Sequence, residues 1–312
     1  MSSNKAIRNA YGEAIAKLGK ENKDIVVLDA DVASSSKSIL FGNEFPNRFF
    51  NIGIAEANMV AMAAGFAAAG KIPFVNTFAV FMILRAGDPI RNIAYSNLNV
   101  KLVGTYAGLS DSYDGASHHS IEDIAFMRAL PNMTVISVAD AVEAEKAVKA
   151  IANYKGPVYL RISRAEVPII FDDSYIFKIG QGEQLKEGRD ISIIATGYMV
   201  QKALIAADLL KMEGINARVV NIHTIKPIDR NLIIKCARET GGIVTAEEHN
   251  VCGGLGSAVS EVLSKEYPVH MEMIGVEDIF TESGDYEEVL EKYGLSPLNI
   301  ISKVKNVLNR TK

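Results

Sequence analysis

The sequence predicts an α/β protein of two domains, each built on a parallel or mostly parallel sheet. Three observations carry that expectation. The chain has 312 residues, and domains of ~150 residues suggest two. Short Val- and Ile-rich runs alternate with amphipathic segments along the chain, the pattern of strands buried between two layers of helices. The alternation breaks once, around residues 171–190, in the polar, glycine-bearing stretch "FDDSYIFKIGQGEQLKEGRD". The expected boundaries are therefore 1–180 for the first domain, 181–189 for a linker and 190–312 for a smaller second domain.

In chain order, the first domain offers strands at "DIVVLDA", "RFFNIGI", "IPFVNTF", "VKLVGTY", "MTVISVA" and "PVYLRIS". A helix is expected from Ser120 to Pro131, where proline removes the next donor and stops it. A second opens at Asp140 with Glu143 three residues on, the spacing of a capping box. The second domain reads as "ISIIATG", a helix over 198–213, "ARVVNIHTI", a helix over 229–239, "GIVTAEEH", a helix over 255–265 and "VHMEMIGV". A last helix starts at Ser296 with Pro297 in its first turn, where a missing N–H costs nothing.

Composition narrows the function classes. The formal net charge is −4 with no block of like charge, which argues against a nucleic-acid or membrane surface. The two cysteines, Cys236 and Cys252, do not make a disulfide framework. The first residues, "MSSNKAIRNAYGEAIAKLGKEN", lack the apolar core of a signal peptide. No apolar run reaches the ~18 residues a membrane span needs. A cytoplasmic setting is the expectation.

Most common catalytic motifs are missing. In "VCGGLGSAVS", Gly254 and Gly256 are followed by Val259, where a dinucleotide fingerprint needs a small residue for close helix packing. There is no G-x-x-x-x-G-K-[ST] loop and no G-x-S-x-G elbow. His249 and Cys252, just after Glu247 and Glu248, fall short of a zinc set, so no metal site is expected on the chain. What stands out is the connection 104–122, "GTYAGLSDSYDGASHHSIE", long and rich in Gly, Ser, Asp and His. It begins at the end of a strand, where open α/β sheets carry their sites.

A second feature is Glu56 in "NIGIAEANMVAMAAGFAAAG". It sits at a strand-to-helix junction in a stretch with no Lys, Arg or His. One reading is an ordinary first-turn acid favoured by the helix dipole at ~0.3–1 kcal/mol. The other is a buried acid, kept neutral by desolvation and able to donate a hydrogen bond to a ligand. The Ala- and Gly-rich helix behind it suits close helix–helix approach.

"NIGIAEANMV…TF", "YDGASHHSIEDIAFMRALPN", "RISR" and "NIHTIKPID" occur in this order, and with them the chain resembles the C-terminal half of transketolases over almost its whole length. The resemblance implies a thiamine-diphosphate-binding-type parallel-sheet domain followed by a transketolase C-terminal α/β domain. It implies thiamine diphosphate and Mg²⁺ as cofactors and transfer of a two-carbon ketol unit between sugar phosphates. Glu56 matches the glutamate that holds the aminopyrimidine and helps generate the cofactor's nucleophile, consistent with the absence of a side-chain nucleophile. Asp31 matches an acid lining the cofactor site, and Phe78 and Phe81 match aromatics packed against the pyrimidine, although their spacing equally fits helix core. Asp114 and His118 match sugar contacts, His118 at the reacting end. Arg164 and Ser35 match phosphate contacts, with Ser34 and Ser36 as alternatives to Ser35. Tyr106 and Leu84 depart from the family pattern, replacing a histidine and an aromatic. No Gly-Asp-Gly occurs in the chain, so the resemblance further implies an N-terminal partner subunit carrying the diphosphate and Mg²⁺ site, in an α₂β₂ assembly. A 2-oxoacid dehydrogenase β subunit and a non-catalytic α/β regulatory subunit are the alternative readings.

Overall fold

The apolar runs pair into two separate sheets in the computed structural model, which describes residues 4–311. The first half of the chain runs β1 (Asn4–Ala6), α1 (Ile7–Glu21), β2 (Ile25–Asp29), α2 (Ala33–Ser36), α3 (Ile39–Glu44) and β3 (Phe49–Asn51). It continues with α4 (Glu56–Ala68), β4 (Ile72–Phe78), α5 (Ala79–Tyr95), β5 (Lys101–Thr105), α6 (Asp123–Ala129), β6 (Thr134–Ser137), α7 (Ala141–Asn153), β7 (Val158–Arg161) and β8 (Glu166–Pro168). The second half runs β9 (Glu183–Lys186), β10 (Ile191–Ala195), α8 (Met199–Met212), β11 (Ala217–Asn221), β12 (Thr224–Lys226) and α9 (Arg230–Thr240). It ends with β13 (Gly242–Asn250), α10 (Leu255–Glu266), β14 (His270–Val276), α11 (Tyr286–Lys292) and α12 (Pro297–Thr311).

The larger sheet has the order β12-β6-β7-β5-β4-β2-β3 and is parallel except for β12. The smaller has the order β14-β13-β10-β11-β9 and is parallel except for β9. β1 and β8 form a separate antiparallel pair. The expected class, α/β in two domains on parallel sheets, is what the chain adopts. β2, β5, β7 and β10 are buried at every residue, which is why they read as apolar-rich runs rather than strictly alternating ones.

Local expectations were met unevenly, for physical reasons. Asp140 caps α7, its Oδ1 accepting from Glu143 N–H at 2.7 Å, but the Glu143 carboxylate reaches Ala139 N–H rather than that of Asp140. α12 begins at Pro297 as the sequence suggests. α6 starts at Asp123, not at Ser120, because the Ser120 backbone is already paired with Gly108. "RFFNIGI" is strand only over Phe49–Asn51. The run "ARVVNIHTI" is two strands: β11 stays in the smaller sheet, while β12 crosses to the first and pairs with β6, Thr224 opposite Ile136. An open strand edge leaves backbone groups without partners, and this crossing pairs that of β6. The stretch read as linker contains β9, which likewise covers the open edge of β11.

The domains share a core. One apolar cluster joins Ile136, Val138 and Ala144 of the first domain to Ile193, Tyr198 and Met199 of the second. Asp140 Oδ2 also accepts from Ile170 and Phe171 N–H at 2.7 and 2.8 Å, tying the connecting segment down. Glu143, buried in α7, accepts from Asn221 Nδ2 of β11 at 2.8 Å. Among the described residues, no helix is long and apolar enough to cross a membrane.

Candidate functional site

The sheet order brings the carboxyl ends of β2, β3, β4, β5 and β7 to one edge of the first domain, the edge at which open α/β sheets bind ligands. Glu56 opens α4 just beyond β3, Phe78 ends β4, Tyr106 follows β5, and Arg161 ends β7 with Arg164 three residues on. Gly53, with φ at +77°, makes the turn between β3 and α4, a conformation easy for glycine alone. Its N–H donates to Asn51 Oδ1 at 3.0 Å.

Glu56 is buried, with 4% of its surface exposed. The stretch around Glu56 holds no Lys, Arg or His, but a cation reaches it from another element. Arg85, on α5, donates through Nη1 to Glu56 Oε1 at 3.0 Å. The guanidinium also lies 3.9 Å from the centroid of Phe81, over its face. Phe81 and Arg85 are four positions apart, so they share one face of α5. That helix bends at Ala86, within a turn of Pro89, which cannot complete the backbone ladder.

Phe78 and Phe81 are half-buried rather than helix core. Phe78 belongs to β4 and only Phe81 to α5. Their rings stack at 5.8 Å, Phe78 stacks on Tyr106 at 4.2 Å, and the His118 ring meets Phe81 edge-on at 5.2 Å. Tyr106 adopts φ of 57° and is held by Arg8, whose guanidinium bonds the Tyr106 hydroxyl and donates to Ser35 O at 3.1 Å. Arg164 lies 5.2 Å from the Tyr106 ring centroid. Leu84 is exposed at 66% and takes no part in the aromatic stack.

The long connection folds into a closed loop. Asp111 is buried within it and accepts from Arg164 Nη1 at 2.9 Å. Burial, and then neighbouring Asp114, push the Asp111 carboxyl up, while Arg164 opposes them. Asp114 is exposed, and the His118 ring, partly exposed, shares a 2.9 Å hydrogen bond between its Nδ1 and Ser117 Oγ. Ligand atoms of Asp111, Asp114 and His118 lie within 4.8 Å of one another. Asp111 is already neutralised by Arg164, so the grouping reads as a polar contact surface.

Thus Phe78, Phe81, His118, Asp114 and Arg164 form one connected array, and Glu56 joins it through Arg85. Asp31 sits apart on the exposed turn after β2, accepting from Asn51 Nδ2 at 2.9 Å. Of the three serines, Ser36 is excluded from ligand contact: it is buried and donates to Asp29 Oδ2 at 2.9 Å. Ser35 is half-buried and Ser34 exposed. Sequence reasoning missed Arg8, Arg85 and Asp111. Only Arg85 left a trace, as the residue four after Phe81.

The first domain is thus a parallel-sheet α/β domain with a buried acid at a helix start beside stacked aromatics, on the edge where such sheets bind ligands. Residues 3–169 match the family described as transketolase, pyrimidine binding domain, and residues 180–300 match transketolase, C-terminal domain. The chain belongs to the transketolase family. It is 45% identical over 310 residues to a Methanocaldococcus jannaschii protein named for a transketolase C-terminal section, covering 98% of this chain and 97% of that one. It is 39% identical over 305 residues to a 6-deoxy-6-sulfo-D-fructose transketolase subunit from a Clostridium species, covering 97% and 95%. A solved structure described as a split gene transketolase, inactive β4 tetramer, is 49% identical, covers 99% of this chain and 100% of its own, and superposes with a TM-score of 0.92. Human transketolase is 40% identical over 309 residues, but this chain spans only 49% of it.

Proposed function

We propose that this chain is the C-terminal subunit of a thiamine-diphosphate-dependent transketolase. It would move a two-carbon ketol unit from a ketose phosphate to an aldose phosphate, together with an N-terminal partner subunit in an α₂β₂ assembly. The observation that carries this reading is Glu56, buried at the start of α4 and joined through Arg85 to the Phe81 and Phe78 rings. A carboxylate and flat apolar faces suit an aminopyrimidine: the acid bonds a ring nitrogen and the rings pack on its plane. When bound, the cofactor supplies the carbon nucleophile that the chain lacks. The diphosphate and Mg²⁺ would be held by the partner, since no Gly-Asp-Gly is present.

The chain's own residues then divide the work. Glu56 holds a proton at the pyrimidine nitrogen, in a site where burial strengthens the bond. Phe78 and Phe81 exclude water from the ring, and Asp31, apart from that array on the turn after β2, would line the cofactor site from its open side. Asp114 and His118 bind sugar hydroxyl and carbonyl groups, with His118 positioned to exchange a proton with the reacting end. Arg164, with Ser35, takes the phosphate. The inactive β4 state named for the split-gene relative supports the need for a second chain.

The test mixes the purified chain with its partner, thiamine diphosphate and Mg²⁺ and assays ketol transfer from a ketose phosphate and from 6-deoxy-6-sulfo-D-fructose. Transfer by this chain alone overturns the shared site, and preference for the sulfo sugar overturns the phosphate assignment. Glu56→Gln is expected to lower transfer by about a hundredfold or more. Full transfer by that variant removes Glu56 from the mechanism.

A further inference from the structure

The loop that carries Asp111, Asp114 and His118 is gripped by the second domain. Its base closes where Gly108 and Ser120 exchange backbone hydrogen bonds of 3.0 and 2.9 Å. Within and beside that closure, every contact named next comes from the other domain. Leu109 N–H donates to Glu248 Oε1 at 2.7 Å. Gly284 N–H donates to Ser112 O at 3.0 Å, and Asn250 N–H donates to Ile121 O at 2.8 Å. His119 Nδ1 meets Thr281 Oγ1. Gly115, with φ of 72°, lets Ser283 approach so closely that a Cβ there would lie 2.3 Å from the serine Oγ.

Glu248, near the end of β13, is the centre of this grip. It is 1% exposed, and its Oε1 also accepts from Tyr286 Oη at 2.8 Å. Its backbone oxygen accepts from Arg161 Nη2 at 2.8 Å. Arg161 in turn donates to Ser120 O at 3.2 Å and to Asp123 Oδ2 at 2.7 Å. The loop base is therefore fastened between β7 and β13. Gly108, with φ of 66°, fits closely against the carboxylate: a Cβ there would lie 2.3 Å from Glu248 Cδ.

We propose that Glu248 is a positioning residue, through which the second domain holds the sugar-contacting loop in its binding geometry. This rests on the reading of Asp114 and His118 as sugar contacts. A connection this rich in Gly, Ser and Asp has many alternative conformations. If the binding-competent one is only partly populated, apparent affinity falls by that fraction. Removing the hold should thus weaken sugar binding more than it slows the chemistry or loosens the cofactor. Glu247 provides an internal control. It is equally buried, yet its carboxylate accepts from Leu255 and Gly256 N–H at the start of α10, inside its own domain.

The experiment uses the complex with the partner chain. Glu248→Ala is expected to raise the KM for the ketose phosphate by about tenfold, with kcat and thiamine diphosphate half-saturation within about threefold of the parent. Amide hydrogen exchange over residues 107–119 should speed up in the same variant. Glu247→Gln should leave KM and loop exchange at parental values. Parental KM and exchange in Glu248→Ala overturn the proposal, and so does an equal KM rise in Glu247→Gln. If Glu248→Ala does not fold, Glu248→Gln is read by the same criteria, with a smaller KM rise expected. If the parent complex transfers no ketol unit, the proposed function fails, while loop exchange in the Glu248 variants still decides the hold.

Discussion

Arg164 illustrates how a side chain acquires a second duty on folding. The sequence marks it as a phosphate ligand by resemblance, but the structure also sets it against buried Asp111 at 2.9 Å and near the Tyr106 face. A planar guanidinium can bond a carboxylate along one edge, stack on a ring and still face an anion, which a lysine ammonium cannot. Arg164→Lys is therefore expected to raise KM for a phosphorylated ketose by about tenfold or more, with a smaller effect on the unphosphorylated sugar. Equal effects on both sugars, in parallel steady-state assays, would count against phosphate recognition. Asp123 shows the same coupling inside the protein. The Arg161 guanidinium and the Tyr159 hydroxyl beside it hold its carboxyl below the usual range although burial pushes the other way. Asp123→Ala would leave Arg161 buried without its counter-charge, and a loss of about 3–5 kcal/mol is expected in denaturant unfolding. Glu56 was legible because an isolated acid in an apolar stretch is conspicuous. Arg85 was not, because only the packing of α4 against α5 brings it across.

At the scale of elements, α4 has two faces. Met59, Val60 and Ala63 are buried with Glu56, while Ala57, Ala61, Met62, Gly65 and Ala68 are exposed. A Cβ added at Gly65 would meet nothing within 4 Å. An open, small-residue face beginning at the candidate cofactor acid suits close approach by a second chain. Ala61→Arg is expected to abolish assembly with the partner subunit in light scattering while leaving the thermal midpoint of the isolated chain unchanged. A variant that assembles normally would locate the partner elsewhere. β9 and β12 mark the limit of sequence reading at this scale. Both are three- or four-residue edge strands, and nothing in so short a run states which open edge it will cover. The α7 cap was legible because its partners lie within one turn, whereas the Asp140 bonds to Ile170 and Phe171 span 30 and 31 residues.

At the scale of the molecule, both domains bury ionisable groups. Burial pushes Glu143 up to about 8 and Glu247 and Glu248 up to about 7, and pulls His223 and His249 down to about 4. The folded acids keep protons that the unfolded chain releases above its ordinary carboxyl value, so their contribution is lost as pH rises through 7 to 8. The neutral histidines cost stability in the other direction, as pH falls from 6.5 toward 4. Lys101, pulled down to about 7 by burial, offsets part of the acids' effect above that value. The thermal midpoint is expected to fall between about pH 6.5 and 7.5 and to fall less in Glu143→Gln. A midpoint that rises across this window, or an unchanged slope in the variant, contradicts the assignment.

The sequence by itself determined the α/β class, the succession of the major strands along the chain, the acid at the start of α4 and the polar loop after β5. These follow from hydrophobic period and from turn and cap residues, which act over a few neighbours. Only the tertiary structure decided which groups meet across the chain. Arg85 reaches Glu56, Asp111 holds Arg164, and Glu248 reaches back 139 residues to the loop at Leu109. Such pairings depend on which sheet edges are covered and which faces pack, and a buried polar group accepts whichever partner that packing supplies.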